Sequence, residues 1–147
     1  VASDGDLGAV VRDFFELALN GRQLDRIGDY CAEDYVYHPS SSPGEEIRGL
    51  AGFRAMIESG YDSFPDMHTD VLDVVVSGDR AVVRFNEGGT HVAPFLGVAA
   101  TGRVARWDGI AIYRGAEGKL AEEWSVSDML SALTQIGAVI PSGEPPE

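Results

Sequence analysis

The stretch Gly102–Asp128, GRVARWDGIAIYRGAEGKLAEEWSVSD, constrains the fold more than any other part of the chain. It reads as two long strands joined at Gly115–Gly118. Apolar residues alternate at Ile110 and Ile112 on the first arm and return at Leu120 on the second. Asp108 shares the face of Ile110 and Ile112, because side chains two residues apart in a strand point the same way. The second arm carries Trp124 and ends at Asp128, so the hairpin can present an indole and two acids to one space. An ionisable group inside such a pattern either faces water or is held for a purpose.

The rest of the chain supplies something for this hairpin to pack on. Apolar residues from Leu7 to Asn20 fall at helical spacing (Val10, Phe14 and Leu17, with Val11 and Phe15), and Gly21 closes that helix. Leu24, Ile27 and Cys31 mark a short second helix. Asp34–His38 reads as a short strand that stops at Pro39 and enters the loop SSSPGEE. Leu50, Phe53 and Ile57 mark a third helix ended by Gly60, before a turn at Phe64–Pro65–Asp66. Met67–Val76 and Arg80–His91, separated by Ser77–Gly78–Asp79, form an antiparallel hairpin. Val92–Thr101 leads to the final hairpin, and Met129–Ile136 forms a last short helix. The sequence after about residue 137 has no apolar pattern and reads as a tail.

This order predicts an α+β fold, one domain over residues 1–147 with an ordered core over about 7–137, in which a curved antiparallel sheet wraps around about three N-terminal helices. Glycines at Gly88, Gly89 and Gly109 let the strands bend, and bending leaves a hollow for a small molecule. At 147 residues the chain is long enough to bury roughly two thirds of its unfolded surface, and so to hold both a core and a pocket. Its 24 acidic and 11 basic residues give a net charge of −13, which excludes nucleic acid and anionic membranes as expected partners. With one cysteine, no apolar run long enough to span a bilayer and no signal-like segment, the expected location is the cytoplasm.

Seven stretches in this order resemble the SnoaL-like polyketide cyclase group of the NTF2-like superfamily: Phe14–Gly21, DYVYHPS at Asp34–Ser40, RGLAGFRAMI at Arg48–Ile57, FPDMHTDV at Phe64–Val71, GDRAVVRF at Gly78–Phe85, GTHVAPFLGVAATG at Gly89–Gly102, and GIAIYR with GKLAEEWSVSDMLSALTQIG. The resemblance implies a cone-shaped α+β barrel, a homodimer formed through the sheet, and a largely apolar pocket. It also implies ring closure by intramolecular aldol condensation without metal or organic cofactor, using a histidine and an aspartate. Two departures are visible. Related steroid isomerases use a tyrosine on the first helix where this chain has Phe14, and a general-base aspartate before a proline where this chain has His38–Pro39.

Four residues are candidates for acid–base work. His38, at a strand end, could take a proton from the carbon between two carbonyls, or simply bond the SSSPGEE turn. His91 could serve as a second acid or cap the Val92–Thr101 loop. Asp108 could donate to a developing enolate if its face is the pocket; Trp107 on the opposite face, which also wants burial, competes with that assignment. Asp128 stands where cyclase-like members end the last strand and could equally cap the last helix. Trp124 either offers a stacking wall for an aromatic substrate or is a core residue. Tyr35, Tyr37, Phe53, Met56 and Phe95 are substrate-binding or core residues, as are Met67 and Phe85. His38, His68 and His91 lie on different elements without metal-ligand spacing, so no metal is expected, and GVAATGR lacks the lysine and following helix of a phosphate loop.

The expected function is therefore a cofactor-free, cyclase-like enzyme acting on a carbonyl-bearing aromatic small molecule. The alternatives are an isomerase, dehydratase, epoxide hydrolase or hydroxylation-related enzyme, in which Arg84 or Arg106 with Asp108 could activate water, and a non-catalytic binding module.

Overall fold

The computed structural model describes residues 4–40, 42 and 44–138. Helix α1 (Asp4–Asp13) runs into a π-helical stretch, Phe14–Asn20. A 3-10 turn, Leu24–Arg26, leads to α2 (Ile27–Tyr30), followed by β1 (Cys31–Pro39), β2 (Ile47–Arg48) and α3 (Leu50–Ser63). Strands β3 (His68–Ser77), β4 (Arg80–Thr90), β5 (Val104–Ala116) and β6 (Lys119–Ser127) follow, and α4 (Met129–Gln135) closes the described chain. The six strands form one curved open sheet in the order β2-β1-β6-β5-β4-β3. This is the α+β architecture that the hydrophobic periods predict. Of the predicted tail, residues 139–147 lie outside the described residues.

Two tight turns set the sheet's register. Gly78, at φ 58°, begins the two-residue β3–β4 loop, and Glu117 (φ 52°) with Gly118 (φ 78°) forms the β5–β6 loop. Positive φ at the first loop residue, or at both, matches the twist of the flanking strands. One pairing departs from the antiparallel expectation: β1 runs parallel to β6, with Tyr37 opposite Glu123 and His38 opposite Trp124. The reason is topological, since β2, α3, the β3–β4 hairpin and β5 separate those strands in sequence, and a long crossover can return the chain in the same direction.

A bulge in β6 controls which side chains face inward. The register with β5 passes from Arg114↔Glu122 to Gly115↔Leu120, leaving Ala121 as the extra residue. Leu120 and Ala121 are consequently both buried, and the alternation beyond them is reversed. Inside the sheet, Gly109 lets the Phe85 ring lie against the strand, because a Cβ there would fall 2.2 Å from a ring carbon. Helix α3 extends to Ser63, past the predicted stop at Gly60. Gly60 is an interior helical position whose carbonyl accepts the Phe64 amide.

The main core packs Phe14, Phe15, Phe53 and Tyr35 against Val83, Phe85, Ala111 and Tyr113 of the sheet. A second cluster joins Phe64, Ala105 and Trp107 to Ala132 of α4 and to Ile136, which caps its end. Gln135 docks that helix by imitating a strand: its Oε1 accepts the Arg106 amide at 2.9 Å and its Nε2 donates to the Arg106 carbonyl at 2.6 Å. Among the described residues no helix is long and apolar enough to cross a membrane.

Candidate active site

Between the helices and the inner face of the sheet lies a cavity of about 270 Å³. The π-helical stretch forms one wall. Its wider turn, with the Gly21 amide reaching the Glu16 carbonyl at 2.9 Å, brings Phe14, Phe15, Leu19 and Asn20 to the same surface. Asn20 ties this wall to β3, donating to the Thr69 carbonyl and accepting the Thr69 amide. From α3 come Phe53, Met56 and Tyr61, and Phe95 and Met129 approach from the β4–β5 connection and α4.

The sheet contributes the chemistry. Inward positions on β5 are Ala105, Trp107, Gly109, Ala111 and Tyr113, and on β6, past the bulge, they are Glu123, Ser125 and Ser127. Glu123 is 6% exposed and lies between Tyr37 of β1 and Tyr113 of β5 in the strand register. Tyr35, fully buried, donates its hydroxyl proton to Glu123 Oε2 at 2.5 Å. Burial drives the Glu123 carboxyl up to about 7, while hydrogen bonds from Tyr35 and Tyr113 pull it partway back. Raised toward neutrality in this way, the carboxyl is suited both to taking a proton and to giving one.

A second carboxyl, Glu87 on β4, also lines the cavity. Trp107 donates its indole N–H to Glu87 at 3.1 Å, and Thr69 its hydroxyl at 3.2 Å. Burial raises Glu87 above the ordinary carboxylate range, opposed by those two hydrogen bonds. Tyr37 and Tyr113 are pushed further toward the neutral phenol by burial and by the charge on Glu123. Among the described residues, no cluster of His, Cys, Asp and Glu could hold a metal ion.

The four sequence candidates are not brought together. Asp108 was expected to face the chamber with Ile110 and Ile112; the structure turns that face outward, leaving Ile110 51% and Ile112 40% exposed. Asp108 instead accepts from Asn86 on the outer sheet surface. The opposite face is the buried one because Trp107 and Tyr113 belong to it. Trp124 and His38 also face outward, stacked with ring centroids 5.2 Å apart. His38 bonds Glu122 at 2.8 Å and approaches Glu46 of the following loop at 3.4 Å. That contact, with the Arg114 guanidinium, holds the Glu122 carboxyl below its usual range.

His91 is completely buried, but behind the chamber wall. Its Nδ1 is 2.9 Å from Thr101 Oγ1 and its ring lies against Phe64. Asp128 is exposed and caps α4, accepting the Ser131 amide at 2.9 Å, although its neighbours Ser127 and Met129 both line the cavity. The Arg–Asp water-activating set does not form in the chamber either. Arg84 pairs with Asp73, and Arg106 bonds Asp70 and Asn86, on exposed strand positions. Of the aromatic and thioether candidates, Tyr37, Phe53, Met56 and Phe95 line the cavity, and Tyr35 stands one layer behind it.

Sequence reasoning passed over Glu87 and Glu123. Glu87 carried a usable signal, since it follows Phe85 by two residues on the apolar face of β4. Glu123 carried none of that kind, because the Ala121 bulge hides its true parity.

The family model for SnoaL-like polyketide cyclases matches residues 9–136. The aklanonic acid methyl ester cyclase DauD of Streptomyces sp. (strain C5) is 23% identical over 128 residues, 86% of this chain and 80% of its own length. TsrD from Streptomyces laurentii superposes with a TM-score of 0.83 at 28% identity, over 95% of this chain and 100% of that one. AclR from Streptomyces galilaeus, described as a candidate hydroxylase, does so at 0.80 with 25% identity, over 94% and 100%. The family model covers most of the chain and the fold agrees with the two solved structures, so the protein belongs to the SnoaL-like polyketide cyclase family of the NTF2-like superfamily.

Proposed function

We propose that the chain is a cofactor-free cyclase acting on a carbonyl-bearing aromatic small molecule, with residues 7–137 working as one domain around the chamber. The observation that carries this reading is Glu123, a buried carboxyl poised near neutrality in an apolar, aromatic-lined cavity. In its ionised form Glu123 removes a proton from the carbon between two carbonyl groups. The resulting enolate attacks a second carbonyl carbon of the same molecule, forming the new C–C bond and leaving an alkoxide. Protonated Glu123, or Glu87 in its acid form, returns a proton to that oxygen, so no atom is gained or lost. Enclosure of the folded substrate adds to this by holding the reacting carbons together.

The named substrate of the DauD relative, aklanonic acid methyl ester, is the first probe. Conversion to an isomer of unchanged mass supports the proposal, and Glu123→Gln then lowers turnover about a hundredfold or more. Probe recovered unaltered favours a binding module. A product heavier by one oxygen favours hydroxylation, and a variant as active as the parent removes Glu123 from the mechanism.

We further propose a homodimer through the outer sheet face. Strand register aligns Val75, Val82, Ile112 and Trp124 in one row across four strands, with Ile110 and Val126 beside it. All six are 37–64% exposed. The pairs Arg84–Asp73 and Arg114–Glu122 flank this apolar strip, so a second copy related by a two-fold axis meets both signs of charge.

A further inference from the structure

We infer that the chamber selects its ligand by charge, admitting uncharged or amine-bearing aromatic molecules and refusing those that carry a free carboxylate. The inference rests on the reading of this cavity as the substrate site. Its lining, among the described residues, includes the carboxyls of Glu87 and Glu123 but no lysine, arginine or histidine. The basic side chains of neighbouring elements are engaged elsewhere. Arg106 is bonded to Asp70 and Asn86, and Arg114 and His38 to Glu122. Arg22 covers the Tyr61 ring but gives its guanidinium protons to the Pro65 and Met67 carbonyls.

The largest neutral donors are engaged as well. The Tyr35 and Tyr113 hydroxyls serve Glu123, and the Trp107 indole and Thr69 hydroxyl serve Glu87. An entering carboxylate would leave water for a space that offers it no counter-charge, only neutral hydroxyls such as those of Ser125 and Ser127, beside two groups of its own sign. A ketone or ester meets no such penalty, and it can accept a proton from Glu123 in its acid form. An ammonium finds two carboxyls and an aromatic lining that includes Tyr37, Phe53 and Trp107. The net charge of −13 adds a long-range bias in the same direction.

The test uses three probes built on one ring system: methyl 2-naphthoate, 2-naphthylmethylamine and 2-naphthoate. Of the two tryptophans, Trp107 lines the chamber and Trp124 lies outside it, so Trp124→Phe leaves indole fluorescence as a reporter of the cavity. In that background at pH 8, the ester and the amine should bind at least tenfold more tightly than the acid, which corresponds to about 1.4 kcal/mol. Glu87→Gln combined with Glu123→Gln should bring acid and ester within threefold. Acid binding within threefold of ester in the parent overturns the inference. So does failure of all three probes to perturb Trp107, or a preference unchanged in a folded double variant. Binding is read without turnover, so selectivity retained in a protein that closes no ring refutes the cyclase proposal alone. Ring closure in a protein that binds acid and ester equally refutes only the charge selection.

Discussion

Replacing Glu123 with glutamine should flatten one part of the protein's stability against pH. The carboxyl ordinarily titrates at 4.5 and is held at about 7 in the fold, chiefly by burial. Below pH 4.5 both folded and unfolded chains carry the proton and the site contributes no slope. Between 4.5 and 7 the folded chain keeps a proton that the unfolded chain releases, so stability falls as pH rises, and above 7 the loss is complete. A difference of that size corresponds to roughly 3 kcal/mol across the window. Glutamine has nearly the same shape and does not titrate; its imperfect match to the Tyr35 and Tyr113 hydroxyls adds an offset that does not vary with pH. Urea unfolding of both proteins at half-unit steps from pH 4.5 to 8 isolates the difference, because every other titrating group is common to the pair. The gap should open in the variant's favour by roughly 3 kcal/mol, a midpoint change on the order of 1–2 M at an ordinary urea slope. Parallel curves would show that Glu123 titrates as it does in the unfolded chain and would refute the poised-carboxyl argument.

Tyr35→Phe removes a donor from Glu123 without touching the chamber surface; it should cost about 1–3 kcal/mol and move the acidic limb of the pH–rate profile upward, measured by unfolding and initial rates. Gly109→Ala drives a methyl group into the Phe85 ring and should cost about 1–3 kcal/mol by urea unfolding, with Phe85→Leu in the same chain recovering part of the loss. Asp128→Ala deletes the α4 cap and should cost about 1 kcal/mol, with calorimetry as the check. Ile112→Asp puts a charge in the centre of the outer apolar strip and should convert a dimer to a monomer in sedimentation, while a species of unchanged size would argue against that face as the interface.

Element order was legible because helix and strand periods differ, and the strands change period cleanly after Asp66. The face of the last hairpin was not. Sequence patterning assumes that the more apolar side of a strand is the inner one. Here the inner side of β5 and β6 carries Ala105, Gly109, Ala111, Ser125 and Ser127, small groups that leave room for a hollow. The outer side carries Ile110, Ile112 and Val126, which reverses the usual contrast. Trp107 and Tyr113, large residues whose placement was in conflict with that assumption, pointed the correct way. The bulge at Ala121 then displaced the acids by one position, so that Glu123 replaces Glu122 and Asp128 as the group facing inward.

The parallel seam between β1 and β6 ties the earliest strand of the chain to the latest. During synthesis, β3, β4 and β5 can pair with their sequence neighbours as they emerge, but the wall bearing Tyr35 has only the two-residue β2 beside it until Lys119–Ser127 has left the ribosome. A nascent chain halted before that point would hold Tyr35 and Tyr37 on an unfilled sheet edge, a template for association with other chains. Completion of the chamber wall and protection from misassembly thus depend on the same late event.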